Sequence, residues 1–478
     1  MSRWIAGVYA AVLVGAGIAV VQLPASDGGS WLAILWATWI AAMVWALTRP
    51  SFSVLFVAVM AAMFLFVILP ATEAQLTGLT TIAGNNYGAG VVRALEISAL
   101  AQCGLLAGAV AARTLRPVPS LTRLSPRLSA SRLDRAALRS TGTGILAILA
   151  LSALGGASLG TFFVYATPSG YGTFAQQTAG NLGYLVALQS AAGLALVLLP
   201  LRLSCLGSSR MLGLFYAALA TFVLIGNGQR GRFFVPVIAA GLVWLKTSRR
   251  SLPPRRLAAA GVLALLLFSG FVGVARGAAS SRQLSAGSVV AASAGSSEDL
   301  FLPLAGLAST VPGEVPYLHG TSYLDVAEFL VPRVLWHGKP EDAIAEITTV
   351  MDPGNSGLAL PEFGEMYANF GLPGVIVGSL LLGALIEWLS RRLARSASLR
   401  DSVFIAVCGA VVLVVFTRGA VAPMLAGFAG LLVATGLVCR RRSGVLAAAA
   451  APVPSGPLKP GQTRNPVATT REHPAAAP

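Results

Sequence analysis

The chain has 478 residues, 55% of them hydrophobic and only 11% charged, with a formal net charge of +16. Soluble globular chains carry about 25% charged residues, so this one lacks the charge to coat a water-facing surface of its size, and lipid must face much of it. The basic excess is almost all arginine, 31 Arg against 3 Lys. Its placement follows membrane topology, which removes the reason to read it as a nucleic-acid surface.

A membrane-crossing helix needs about 20 apolar residues. Taken in chain order, spans are expected near 4–23, 31–48, 51–70, 91–112, 142–162, 182–201, 211–226, 233–247, 257–275, 371–390, 402–417 and 420–438. The opening Met1-Ser2-Arg3 before an apolar run has the outline of a signal peptide. The run is long, however, and Pro24-Ala25-Ser26 is a poor cleavage context, so it is read as the first span. Basic residues then mark every second connection. Arg3 and Arg49 come first, then the 113–139 loop with seven arginines and one acid, Asp134. Arg202 and Arg210 follow, then Lys246, Arg249, Arg250, Arg255 and Arg256. Arg391, Arg392, Arg395 and Arg400 precede the final Arg440-Arg441-Arg442. On this assignment 26 of the 34 Lys and Arg lie inside. The expected fold is all-α, a polytopic membrane protein of about twelve transmembrane helices with both termini cytoplasmic. None of the four cysteines (Cys103, Cys205, Cys408, Cys439) falls in an expected exterior loop, so no disulfide framework or cysteine metal site is implied.

The division that follows is helices one to nine over 1–275, an exterior loop over 276–370, helices ten to twelve over 371–442, and an Ala- and Pro-rich cytoplasmic tail over 443–478, expected to be disordered. The loop holds 11 of the 18 acidic residues and two of the three histidines. Its 277–297 stretch is rich in Ser, Ala and Gly and is expected to be mobile. Thr321 is placed to cap a short helix through Leu330, closed by Pro332. Pro340, Glu341 and Asp342 start a second helix over 340–351, residues 352–357 form a turn, and Pro361 opens a helix that flows into the tenth span.

The basic residues that break the alternation are the first chemical signal: Arg93, Arg230, Arg232, Arg276, Arg282, Arg333, Lys339 and Arg418. Asn227-Gly228-Gln229-Arg230-Gly231-Arg232 joins two spans so short that each covers only about 24 Å of a core about 30 Å thick. That recesses the Arg-Gly-Arg turn. An arginine at a span centre costs about 2.5–3.5 kcal/mol, so two adjacent ones need a hydrated cavity, an acidic partner or an anionic ligand. Guanidinium forks match phosphate oxygens. Snorkelling to lipid headgroups is the alternative for each, and for Arg93 an ion pair with Glu96 is the simpler account. The second signal is Glu362, Glu365 and Asn369, which share one helix face at i, i+3 and i+7. They read either as a carboxylate aimed at the exterior mouth, able to take a proton from a sugar hydroxyl, or as acids favoured by a helix N-terminus. His319 and His337 have no zinc-motif spacing. They and Asp325 read as loop candidates or as surface residues.

The run Pro361-Glu362-Phe363-Gly364-Glu365-Met366-Tyr367-Ala368-Asn369-Phe370-Gly371-Leu372-Pro373-Gly374 is similar to the Gly-Glu-x-Tyr-x-Asn-Phe-Gly-x-x-Gly string of the Wzy-type oligosaccharide repeat-unit (O-antigen) polymerases. With the Arg-Gly-Arg turn and the large loop, the resemblance covers roughly residues 211–390. It implies a GT-C-like helical glycosyltransferase in the bacterial cytoplasmic (inner) membrane. The implied activity is polymerisation of undecaprenyl-pyrophosphate-linked oligosaccharide units at the exterior face, without nucleotide sugar and usually without a metal. Arg230, Arg232, Arg276, Arg333 and Arg418 would then hold pyrophosphate. Glu365, His337 or His319 would take the acceptor proton, and Tyr367, Asn369 and Asp325 would contact sugar. Membrane lipids, a flippase and a chain-length regulator are the implied partners. A lipid-linked glycan ligase is the near alternative. A polysaccharide or lipid-linked sugar transporter (a flippase) is the distant one, disfavoured because the two halves of the chain differ.

Overall fold

The computed structural model describes residues 27–48, 53–78, 80–82, 85–115, 130–155, 183–204, 210–225, 230–247, 300–329, 342–351, 359–419 and 421–440, with isolated residues between 331 and 340. The spans expected at 4–23 and 257–275, the 277–297 stretch and the tail after 443 lie outside the described residues. Those from 27 to 439 belong to one unit. Secondary structure among them is helical apart from a two-residue antiparallel ladder, Thr81–Ile82 (β1) against Asn85–Asn86 (β2).

The helices are Asp27–Thr48 (α1), Val54–Thr77 (α2), Val91–Leu115 (α3) and Ala130–Gly155 (α4). Gly183–Gln189 continues through a 3-10 turn into Gly193–Ser204 (together α5), followed by Arg210–Ile225 (α6) and Arg230–Thr247 (α7). Then come Phe301–Thr310 (α8), Thr321–Phe329 (α9), Ala343–Met351 (α10), Glu362–Arg395 (α11), Leu399–Arg418 (α12) and Val421–Arg440 (α13). Seven of them, α1–α4 and α11–α13, are long and apolar enough to cross a membrane. Helices α5, α6 and α7 stand where three more spans are expected, but their apolar stretches are shorter: Ala187–Leu203, Arg210–Leu224 and Phe233–Thr247. These three and the two expected spans outside the described residues separate the seven from the twelve of the sequence reading.

Helices α3 and α11 form the spine. Between lipid-exposed helices there is little hydrophobic drive, so close backbone approach at small residues supplies the packing. Gly104 and Gly108 are one turn apart on α3. A Cβ at Gly104 would sit 2.9 Å from the Ser379 side chain, and one at Gly108 would sit 1.9 Å from the Leu380 carbonyl oxygen. A Cβ at Gly383 would in turn meet the Leu105 carbonyl at 2.2 Å. Contacts advance together along both chains, ending where Arg391 donates to the Ala112 carbonyl, so the two helices run parallel.

Other pairs are pinned by polar groups reaching backbone. On α1, the Trp36 indole donates to Thr72 Oγ1 at 3.0 Å and Trp39 to the Met60 carbonyl at 2.8 Å. In α2, Phe64–Ile68 is a π-helical turn, and the Phe66 carbonyl accepts the Leu300 amide at 3.0 Å. A π turn displaces the ordinary i→i−4 pattern and leaves carbonyls for outside partners. That contact anchors α8, which the sequence reading did not anticipate as an element. Its Phe301, Leu302, Leu304, Ala305 and Leu307 are all buried, and it crosses the start of α3 so closely that a Cβ at Gly90 would overlap the Ala305 carbonyl.

The far end of the spine is ionic. Glu387 of α11 is fully buried, 3.6 Å from Arg113 of α3 and 3.8 Å from Arg391. Lys246, at the end of α7, donates to the Leu393 and Ala394 carbonyls at 2.7 and 2.9 Å, placing a cation on the C-terminal carbonyls of α11. Arg202 pairs with Asp134 at 2.7 Å. All of these cations belong to the set that the alternation puts inside. Arg93, one of its exceptions, pairs with Glu96 at 2.5 Å, as the i, i+3 spacing implies.

The spine makes a direct prediction. Gly108→Val should force α3 from α11, lowering the thermal midpoint and the yield of monodisperse detergent-solubilised protein, by about 3 kcal/mol or more if the core does not yield. Gly142→Ala on α4, where an added Cβ meets nothing within 4 Å, should leave both unchanged or slightly raised.

Candidate functional site

At the other end of the spine, the Glu362–Gly371 run is not a uniform lead-in to the span. The sequence reading has one helix flowing through it, whereas Gly371 adopts φ +64° and breaks α11 into a nine-residue helix, Glu362–Phe370, and a longer one. Only glycine takes that conformation without strain, and the Tyr317 ring lies 3.2 Å from where a Cβ would be. Pro373 follows near the start of the second piece, where a missing N–H costs nothing.

Glu365 joins three elements. Its residue is 1% exposed, Oε1 accepts from Ser322 Oγ of α9 at 2.7 Å, and Oε2 accepts from the Val421 amide of α13 at 2.9 Å. The second bond places the carboxylate on an orphan N–H in the first turn of α13, a site the helix dipole favours for an anion. Asn369, one turn on, is fully buried and uses both ends of its amide. Nδ2 donates to Ser322 Oγ and to the Glu365 carbonyl at 2.7 and 2.8 Å, and Oδ1 accepts the Gly320 amide at 2.9 Å. Backbone bonds from Leu318 and His319 to the Ala368 and Asn369 carbonyls complete the seam.

Glu362 is 5% exposed; Oε1 accepts from the Tyr323 hydroxyl at 3.3 Å, while Oε2 has no hydrogen-bond partner among the described residues. Burial, with the Glu362 and Glu365 carboxylates behind it, pushes the Tyr323 phenol far above its ordinary value, so it stays a neutral donor. Its ring stacks on Phe370 at 6.4 Å. Tyr367 is buried and donates to the Val311 carbonyl at 3.2 Å. Asp325 accepts the Ala343 amide at 3.1 Å, and Asp342 accepts that of Ile344 at 2.9 Å, so two carboxylates cap α10. Helix α10 therefore starts at Ala343, later than the sequence reading has it, with Asp342 as its cap.

Arg418 ends α12, and Gly419, at φ +54°, turns the chain into α13 with its backbone against the Leu360 carbonyl. The Arg418 position is thus three residues from the amide that Glu365 holds. Arg230 and Arg232 lie in the first turn of α7, helical rather than in a turn. Arg276, Arg333 and His337 lie outside the described residues. His319 is exposed, in the left-handed region at φ 51°, beside the Asn369 seam. The structure therefore brings Glu365, Asn369, Tyr367, Asp325, His319 and the Arg418 position to one end of the spine. Ser322, Tyr323 and the Val421 amide were not singled out by sequence. Ser322 and Tyr323 carried only the signal of following Thr321, expected as a cap but found as the first residue of α9 with its hydroxyl donating to the Leu318 carbonyl at 3.0 Å, and a backbone amide carries none.

These features define a multi-pass membrane protein in which a loop helix is locked to the head of a late membrane helix through buried carboxylates. The sequence model of the O-antigen polysaccharide polymerase Wzy family matches residues 8–440, nearly the whole chain. The chain belongs to that family and is, at that level, a membrane polymerase of polysaccharide. No curated protein and no solved structure matches it significantly.

Two measurements check the seam. Asn369→Ala should lower the thermal midpoint in detergent by the equivalent of about 1–3 kcal/mol, since it strands the Gly320 amide. His319→Asn should not, because asparagine tolerates the left-handed region. For Asp342, burial first and then the Asp325 carboxylate hold the carboxyl above its ordinary value. The folded chain keeps this proton longer than the unfolded one, so stability from this group is full below about pH 4 and declines as pH rises through the raised value. Asp342→Asn keeps an acceptor for Ile344, so its thermal midpoint relative to the wild type should climb as pH rises above about 4.

Proposed function

We propose that the chain transfers a growing glycan from one undecaprenyl-pyrophosphate carrier to the non-reducing end of a carrier-linked repeat unit, at the exterior face of the cytoplasmic membrane. The observation that carries this reading is the meeting at Glu365 of the motif helix, the loop helix α9 and the turn that holds Arg418. Family membership supplies the polymerase class; the twelve-span topology, the GT-C-like architecture and the exterior placement of 276–370 belong to the proposal.

In the proposed step an acceptor hydroxyl attacks the anomeric carbon of the donor glycan. The bond to the pyrophosphate oxygen breaks, and its electron pair leaves with the carrier. Arginines that hold that anion stabilise the charge developing on it. The residues proposed are Arg230 and Arg232 from the first turn of α7, Arg418 from its turn, and Arg276 and Arg333. The acceptor's proton goes to His319, His337 or Glu365. His319 is the exposed one of the described pair. Glu365 would act by exchanging its Ser322 hydrogen bond for the acceptor hydroxyl. Tyr367, Asn369 and Asp325 are assigned to shaping the sugar site. A flippase supplies the carrier-linked units and a chain-length regulator sets the end point.

Deletion of the gene should leave single lipid-linked repeat units accumulating and long glycan absent. Unchanged glycans would overturn the enzyme reading, and single units attached to the final acceptor would point to a polymerase rather than a ligase. Arg232→Ala should lower polymerisation at least tenfold in a chain that still folds; full activity there removes Arg232 from the anion site. His319→Asn separates the candidate bases. Loss of activity with an unchanged thermal midpoint assigns the proton to the histidine, and full activity leaves it to Glu365 or His337.

A further inference from the structure

A basic cavity lies at the opposite end of the spine. A cavity of about 340 Å³ opens between the end of α11 and the start of α12, lined by Trp388, Arg391, Arg392, Arg395, Ser396, Asp401 and Ile405. Three arginines against one aspartate leave its wall with an excess of two positive charges. The arginines are not equivalent. Arg391 is buried and fixed by Glu387 and the Ala112 carbonyl. Arg392 and Arg395 are exposed, and the Arg392 guanidinium lies over the Trp388 ring at 5.3 Å. A guanidinium over an aromatic face gains from the ring quadrupole and retains N–H donors that can meet an oxyanion.

The surroundings identify the kind of anion. Trp388 is half-exposed, and Leu385, Leu381 and Val377 lie exposed on the same helix at positions three, seven and eleven before it. Those spacings place them on one face. That stripe belongs to a helix long and apolar enough to cross a membrane, and tryptophan favours the membrane–water interface. A basic pocket at headgroup depth above an apolar track fits a phosphate that carries an acyl chain. The positive-inside bias puts this end in the cytoplasmic leaflet, across the membrane from the proposed polymerising site.

We propose that this pocket binds the phosphate of an anionic glycerophospholipid, with Arg392 and Arg395 as the phosphate ligands and the Trp388–Val377 face seating the acyl chain. The shared chemistry, a phosphate oxyanion, could also come from a soluble phosphate ester, so the test carries both.

Full-length protein in detergent is titrated with phosphatidylglycerol, phosphatidylcholine and glycerol 1-phosphate, reading adducts by native mass spectrometry and thermal midpoint in parallel. Phosphatidylglycerol should bind and raise the midpoint, with phosphatidylcholine and glycerol 1-phosphate far weaker. The pair Arg392→Ala and Arg395→Ala should weaken phosphatidylglycerol about tenfold or more. The charge-matched pair Arg139→Ala and Arg210→Ala, exposed arginines elsewhere, should not. Equal binding of glycerol 1-phosphate overturns the lipid assignment in favour of a soluble ester. Undiminished phosphatidylglycerol binding by the first pair, or equal loss by the second, overturns the site itself. If the first pair unfolds, Trp388→Leu in the same titration decides, since a lipid seated on that face must lose affinity.

Discussion

Everything else in the structure hangs on the distance between α3 and α11. Two membrane helices brought to backbone contact at Gly104, Gly108 and Gly383 gain dispersion and weak carbonyl contacts that bulkier pairs forgo. Because they run parallel, their ends are paired as well. One end gathers Arg113, Glu387 and Arg391; the other carries α8 across Gly90 and the motif helix above Gly371. A buried carboxylate between two guanidiniums is costly to desolvate and costlier to break, so the ionic end fixes the register that the glycines permit. With that register set, the head of α11 can be neither advanced nor rotated.

On that head, Glu365 acts as a joint. One carboxylate oxygen takes the loop helix through Ser322 and the other takes α13 through the Val421 amide. A carboxylate accepts on both oxygens, so one side chain meets both donors. Asn369 repeats the logic one turn later, satisfying a loop amide and the same serine. The motif that resembles the polymerases thus has a local purpose whatever its chemistry: its glutamate and asparagine clamp a loop to the membrane bundle, and its glycine bends the helix so that they can reach. Such a clamp ties the Arg418 turn and the His319 loop to the same helix head, as the proposed anion site requires.

Much of this was legible in sequence because lipid imposes simple rules. Hydrophobic length located α1–α3 and α11–α13, whereas the span expected at 142–162 overlaps the later part of α4, which begins at Ala130 inside the expected 113–139 loop; the Arg93–Glu96 pair followed from i, i+3 spacing. Helix α9 was legible from its threonine start and α11 from Pro361. What escaped shows where those rules stop. Helix α8 is apolar but only ten residues long, too short to read as a span and lacking a capping side chain to mark it. The π turn in α2 has no compositional sign. The break at Gly371 is invisible because glycine and proline are tolerated in membrane helices.

The sequence alone determined that this is a multi-pass helical membrane protein, which residues its basic ends comprise, and which short motif resembles a polymerase. Those are properties of hydrophobic length, charge placement and residue order, which need no partner to be read. Only the tertiary structure decided that Glu365 meets an amide 56 positions away, that Arg391 reaches back to α3 across 279 positions, and that a cavity opens between the end of α11 and the start of α12. Each depends on which helix lies against which, and that was set by glycine contacts whose partners no local pattern names.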